Sequence, residues 1–128
     1  QVQLAHAAID AGASAVLGHH PHILQAVEHY KNGVILYSLG NFAFGSFSNT
    51  ATRSAIALLT FRDRQWSELR LLPINVKNAE VVFQPRPLSG RDAAEVVEQL
   101  QQLSQARGTA LENRDGAAVL SFRNRPGT

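Results

Sequence analysis

Apolar residues fall along this chain in short runs separated by breaks rich in glycine, proline and asparagine, the pattern of small helices alternating with strands. Residues 2–11 place Leu4, Ala7, Ala8 and Ala11 at spacings of three and four, which predicts a helix stopped by Gly12. Ser14, Ala15, Val16 and Leu17 then read as a buried strand ending at Gly18. Strand-like runs at residues 23–30 and 34–37 flank Lys31-Asn32-Gly33, and Asn-Gly between such runs predicts a hairpin. Residues 54–61 and 68–76 predict a second antiparallel pair, turning at Asp63-Arg64-Gln65. Residues 80–83 predict a short edge strand, stopped by Pro85 and Pro87. The clearest helix covers residues 89–105, where Ala93, Val96, Val97, Leu100 and Leu103 form one stripe and Ser89 with Asp92 makes a capping-box-like start. Residues 117–122 predict one more strand, and residues 124–128 a frayed end.

A chain of 128 residues, 45% hydrophobic and 17% charged, suits one globular domain, residues 1–128, with a modest core. It has no cysteine, so neither disulfides nor thiolate metal sites are available to it. The net charge is +2, and the arginines are scattered without a basic run interleaved with aromatics, which argues against a nucleic-acid partner. No apolar stretch reaches the roughly 20 residues that span a bilayer. The chain opens at Gln1, inside the first predicted helix, so it is expected to be part of a longer protein.

Candidate chemistry concentrates in Gly18-His19-His20-Pro21-His22, which holds three of the five histidines just past the first predicted strand. Loops at the carboxyl ends of strands in open α/β sheets are where ligands collect. Neutral imidazoles there can bind transition metals, so the segment reads either as a metal loop or as a polar turn.

Three strings in order, Gly18-His19-His20-Pro21-His22-Ile23-Leu24-Gln25, then Val27-Glu28-His29-Tyr30-Lys31-Asn32-Gly33, then Tyr37-Ser38-Leu39-Gly40-Asn41-Phe42-Ala43-Phe44, carry a family resemblance. The chain resembles the bacterial capsule-synthesis (CapA/PgsA) family of poly-γ-glutamate production, a branch of the calcineurin-like metallophosphoesterases. The resemblance is close over residues 4–44, looser over 52–73, and fades beyond Pro87. It implies an α/β fold: the C-terminal part of a metallophosphoesterase-like α/β-β-α sandwich, with mixed, mostly antiparallel strands and flanking helices. It implies a divalent metal, Mn, Fe or Zn, held by His20 and His22 in His-x-His spacing, with His19 as the next candidate. Asn41 is implied to lie near the site and bind substrate, against the simpler reading that it stabilises its own turn. Glu28 reads as a partner for a ligating imidazole or as a surface strand residue, while Tyr37 and Phe42 read as core. His6 and His29 read as ordinary surface or packing residues.

One part of the family pattern is missing. Carboxylate ligands in these sites come from Asp-x-His and Gly-Asp motifs, and a further ligand and imidazole from Asn-His. Asp10, Asp63, Asp92 and Asp115 stand in no such context. Two or three imidazoles without a bridging carboxylate would hold metal weakly, so the chain alone is expected not to be a competent hydrolase. The resemblance implies metal-assisted phosphoester hydrolysis by a longer parent at the extracytoplasmic face of the cell envelope. The implied partners are the missing N-terminal part of the same protein and a capsule-synthesis membrane complex. An alternative reading is a non-catalytic envelope scaffold that binds an acidic polymer through the scattered arginines. A sandwich half with an open apolar face is also expected to form a homodimer or to rely on a missing segment.

Overall fold

The computed structural model describes residues 1–122 of the chain. Helix α1 (Val2–Asp10) leads into strand β1 (Ala15–Leu17). Gly12, at φ 106°, ends the helix, and its N–H and that of Ala13 donate back to the carbonyls of Ile9 and Ala8. The face that α1 buries differs from the predicted one: Ala5 and Ile9 are buried, whereas Leu4 is 77% exposed. Alanines at 5, 7 and 8 lie around this helix, so its apolar pattern has little contrast, and the docking of Ile9 sets the face.

Strands β2 (Val27–Tyr30) and β3 (Gly33–Leu36) form the predicted hairpin, in register from Val27 opposite Leu36 to Tyr30 opposite Gly33. Its turn residues are Lys31 and Asn32, with Lys31 left-handed at φ 52°. Gly33 already belongs to β3, and its lack of a side chain makes room for α1: a Cβ there would lie 2.6 Å from Ile9 Cδ1. Strand β1 pairs parallel with β3, giving the order β1-β3-β2. The two-residue period of β3 then serves two layers. Val34 and Leu36 enter the main core, while Ile35 and Tyr37 pack with Ala5, Ile9 and Ala26 beneath α1.

Strands β4 (Arg53–Arg62) and β5 (Gln65–Asn75) make the second predicted pair, joined by Asp63 and Arg64, both left-handed at φ 48° and 64°. Residues 80–83 do not form a strand. Helix α2 (Asn78–Val81) is one helical turn, and the short edge strand lies beyond it as β6 (Arg86–Pro87), on the end of β5. Helix α3 (Gly90–Gln105) buries Ala93, Val96, Val97 and Leu100 as expected. Ser89 takes the N-cap position without a side-chain capping bond, and Asp92 pairs with Arg53 instead. Ser104, not Leu103, completes the buried stripe. A hairpin of β7 (Glu112–Arg114) and β8 (Ala117–Ser121), turning at Asp115-Gly116, finishes the second sheet in the order β4-β5-β8-β7. The end predicted to fray, residues 124–128, lies outside the described residues.

Both sheets and α3 share one core, in which Val34 and Leu36 meet Leu69, Leu71, Val96, Leu100 and Ala118. The architecture is a mixed α/β sandwich of mostly antiparallel strands with flanking helices, the expected class. Hydroxyls close the outer edge of β2: Ser104 Oγ accepts from the Val27 N–H and Thr109 Oγ1 from the His29 N–H, each at 2.9 Å. These bonds tie the first sheet to the end of α3 and satisfy an edge that would otherwise offer itself to other chains.

Candidate functional site

Parallel pairing of β1 with β3 builds the site. It sends both strands in one direction, so the segment after β1 and the segment after β3 emerge side by side. The pairing continues past the strand ends: Gly18 N–H donates to the Leu36 carbonyl and Leu39 N–H to the Gly18 carbonyl, each at 2.9 Å. Gly18 lies so close to the neighbouring backbone that a Cβ would run into the Tyr37 carbonyl oxygen. Directly after it the chain turns, with His22 N–H donating to the His19 carbonyl at 3.0 Å and His22 left-handed at φ 62°. Opposite this turn stands Gly40-Asn41, where Gly40 is left-handed at φ 76° and packed against the Ser54 side chain.

Two of the three imidazoles are anchored to that opposing segment. His19 Nδ1 lies 3.1 Å from the Gly40 carbonyl oxygen, and His22 Nδ1 lies 2.7 Å from Asn41 Oδ1. Both partners are acceptors, so each Nδ1 carries the proton and donates. In a neutral ring Nε2 then keeps a free lone pair. This is the second-nitrogen arrangement found in metal-ligating histidines. The His22 ring also packs on Phe44, with centroids 4.5 Å apart. His20 has no such anchor; its ring stands 6.3 Å from that of His22, and it lines an apolar cavity toward α1. Asn41 is buried, and its side chain reaches across to the turn instead of bonding its own loop. The structure thus brings His19, His22 and Asn41 together around the predicted loop. The sequence pattern points first to His20 and His22 through their His-x-His spacing, whereas the Gly40 carbonyl that holds His19 carries no side-chain signal. His19 and His22 are each of a type that ligates a divalent ion through Nε2 when Nδ1 donates to an acceptor. Among the described residues, no three His, Asp or Glu side chains converge into a complete ligand set.

Glu28 belongs elsewhere. It lies under α1, where His6 Nε2 is 3.0 Å from Oε1 and the Tyr37 hydroxyl donates to Oε2 at 2.5 Å. His6, read as an ordinary surface or packing residue, packs: it stacks on Tyr30 with ring centroids 3.8 Å apart. Tyr37 is buried as expected, but Phe42 is 57% exposed, because the chain leaves the sheet after Asn41. Burial pushes the Glu28 carboxyl up, but hydrogen bonds from Tyr37 and His6 and the charges of His6 and Arg107 outweigh it and hold it below its ordinary value. Burial, then the Glu28 bond and charge, pushes the Tyr37 phenol well above its ordinary value.

The two shifts act on stability at opposite ends of the pH scale. A lowered carboxylate stabilises above its unfolded pKa of about 4.3 and loses that contribution as pH falls; a raised phenol stabilises below about 10 and loses it as pH rises. Tyr37→Phe is therefore expected to cost about 1.5–3 kcal/mol between roughly pH 5 and 10. Urea unfolding across pH 3–11 checks this: the gap to the unsubstituted protein should narrow at both extremes, and a gap independent of pH would contradict the assignment.

Fold and site together define a two-sheet α/β domain with an imidazole-bearing turn at the carboxyl end of a parallel strand. Residues 1–46, which hold that turn and Asn41, match the family model described as bacterial capsule synthesis protein PGA_cap. Over 101 residues, 78% of this chain, it is 40% identical to the capsule biosynthesis protein CapA of Bacillus anthracis. Over 79 residues, 62% of this chain, it is 39% identical to the PGA biosynthesis protein CapA of Bacillus subtilis. An uncharacterised Sinorhizobium fredii protein, y4sH, is 28% identical over an alignment of 168 positions that covers 91% of this chain and 36% of that protein. The chain belongs to the bacterial capsule-synthesis (CapA/PgsA) family. It spans about a quarter of the length of the two Bacillus relatives, 24% and 21%.

Proposed function

We propose that this chain is the C-terminal portion of a capsule or poly-γ-glutamate biosynthesis protein of the cell envelope, and that its histidine turn supplies imidazole ligands to a divalent metal in a phosphoesterase-like site. The supporting observation is the pair of Nδ1 anchors, Gly40 carbonyl to His19 and Asn41 Oδ1 to His22. They fix both rings in the tautomer that leaves Nε2 free for metal. Carboxylate ligands would come from the parts of the full-length protein outside these 128 residues. A bound divalent ion would supply Lewis-acid polarisation of a phosphoryl oxygen and an activated water. This chain's own contribution is to anchor two imidazoles through Nδ1 and to bury the amide that orients one of them.

A zinc titration followed by histidine ring NMR tests the proposal. Saturable shifts at His19 and His22 are expected in the unsubstituted chain. His19→Ala and His22→Ala should each lose the response of the remaining ring. Asn41→Leu should weaken zinc binding about tenfold or more through the lost anchor, and His20→Ala should change it little. A chain with no saturable response would leave the turn as a scaffold element and favour the non-catalytic reading.

A further inference from the structure

Beside the histidine turn lies a cavity of about 180 Å³, walled by Leu4 and Ala8 of α1, Val16 of β1, and Leu36 and Tyr37 of β3 and its continuation. Its walls are almost wholly apolar, while its border toward the turn carries His19 and His20. His19 therefore belongs both to the anchored imidazole pair and to the cavity wall. A concave apolar volume bordered by a few polar groups is the usual form of a small-molecule site. Cavities of about 150 Å³ lined by aliphatic side chains accept a benzene-sized group.

We infer that the site takes an anionic ester whose apolar group is the size of a benzene ring or a short alkyl chain, with the anion at the imidazoles and the apolar group in this cavity. The placement of the anion rests on the metal reading above; that of the apolar group rests on the cavity alone. Polar complementarity chooses this occupant over a wholly apolar one, because the rings of His19 and His20 stand at the border of an otherwise apolar cavity. Ala8 offers a way to close the cavity without disturbing the turn, since leucine is a strong helix former.

The test uses the whole 128-residue chain, zinc-free and zinc-saturated, titrated with methyl phosphate and with phenyl phosphate. Histidine ring signals and the methyl signals of Val16 and Leu36 are followed. Phenyl phosphate is expected to bind about tenfold tighter than methyl phosphate, since burying a ring's apolar surface is strongly favourable, and to shift both methyl groups. Ala8→Leu should erase the difference while leaving the zinc response of His19 and His22 intact. Leu4→Ser, at the exposed rim, should reduce it partly. Equal affinities, or a preference that survives Ala8→Leu, overturn the inference. So does concentration-dependent self-association that covers Val16 and Leu36, which would assign the cavity to a second copy. A preference that Ala8→Leu removes, in a chain whose histidines ignore zinc, upholds the cavity site and sinks the metal reading instead.

Discussion

Gly18→Ala is expected to cost about 3 kcal/mol or more and to scatter the histidine turn, an effect at the upper end of what overpacking does. The added methyl would run into the Tyr37 carbonyl oxygen and would lie 3.0 Å from the Tyr37 carbonyl carbon. A side chain in the way could change rotamer, but a backbone carbonyl inside a sheet cannot. Relief requires β1 to move away from β3, which breaks the Gly18–Leu36 and Leu39–Gly18 bonds and separates His19 and His22 from Gly40 and Asn41. A domain of this size has only about 5–15 kcal/mol to lose. Gly45→Ala is the control: it has an ordinary φ and no atom within 4 Å of the new Cβ, and should change stability by no more than about 0.5 kcal/mol. Urea unfolding with histidine ring NMR reads both effects. A Gly18→Ala protein as stable as the Gly45→Ala protein would show that the β1–β3 approach is not tight.

Much of this arrangement could be read from the chain, and the failures share a cause. The first hairpin, the long β4–β5 pair and the stripe of α3 were legible because large apolar residues alternate there with polar ones or with turn residues. The buried face of α1 was not, because its alanines give every direction a similar hydrophobicity. Ser104 and Thr109 look like solvent-facing residues, yet they are buried because the N–H groups of β2 need acceptors that only the tertiary fold brings near. Strand β7 and its hairpin with β8 were not predicted, although Asp115-Gly116 is a hairpin signal, because Glu112-Asn113-Arg114 has no apolar alternation. Within the site, the histidines and Asn41 were visible as residue types. Which imidazoles are anchored was not, because that depends on a parallel pairing between segments some twenty positions apart and on one backbone carbonyl.

Asn78→Ala is expected to be the other costly change, about 3 kcal/mol, and its mechanism differs from that of Gly18. Asn78 is 4% exposed, and its amide works in three directions. Nδ2 donates to the Phe44 carbonyl at 2.6 Å and to the Ser46 carbonyl at 2.9 Å, while Oδ1 accepts from the Phe83 N–H at 3.3 Å. These bonds tie the loop after Asn41 to the turn after α2, where Val82 and Phe83 are both left-handed at φ 49° and 59°. Non-glycine residues in that region cost about 1–2 kcal/mol each; backbone bonds from Val82 N–H to the Asn78 carbonyl and from Gln84 N–H to the Val81 carbonyl help hold the turn, and the Asn78 side chain adds the bond to the Phe83 N–H. Alanine would leave the two carbonyls and the N–H without this partner, each a loss of about 1–3 kcal/mol where the group stays buried. The strained turn would then relax, and residues 44–46 would come free of α2. Because Phe44 packs on His22, loosening should reach the candidate site as broadened His22 ring signals, while His19, held by Gly40, stays sharp. Thermal unfolding combined with those spectra separates the outcomes: a stable Asn78→Ala protein with an unchanged His22 would mean that the aromatic loop is held by its ring contacts instead.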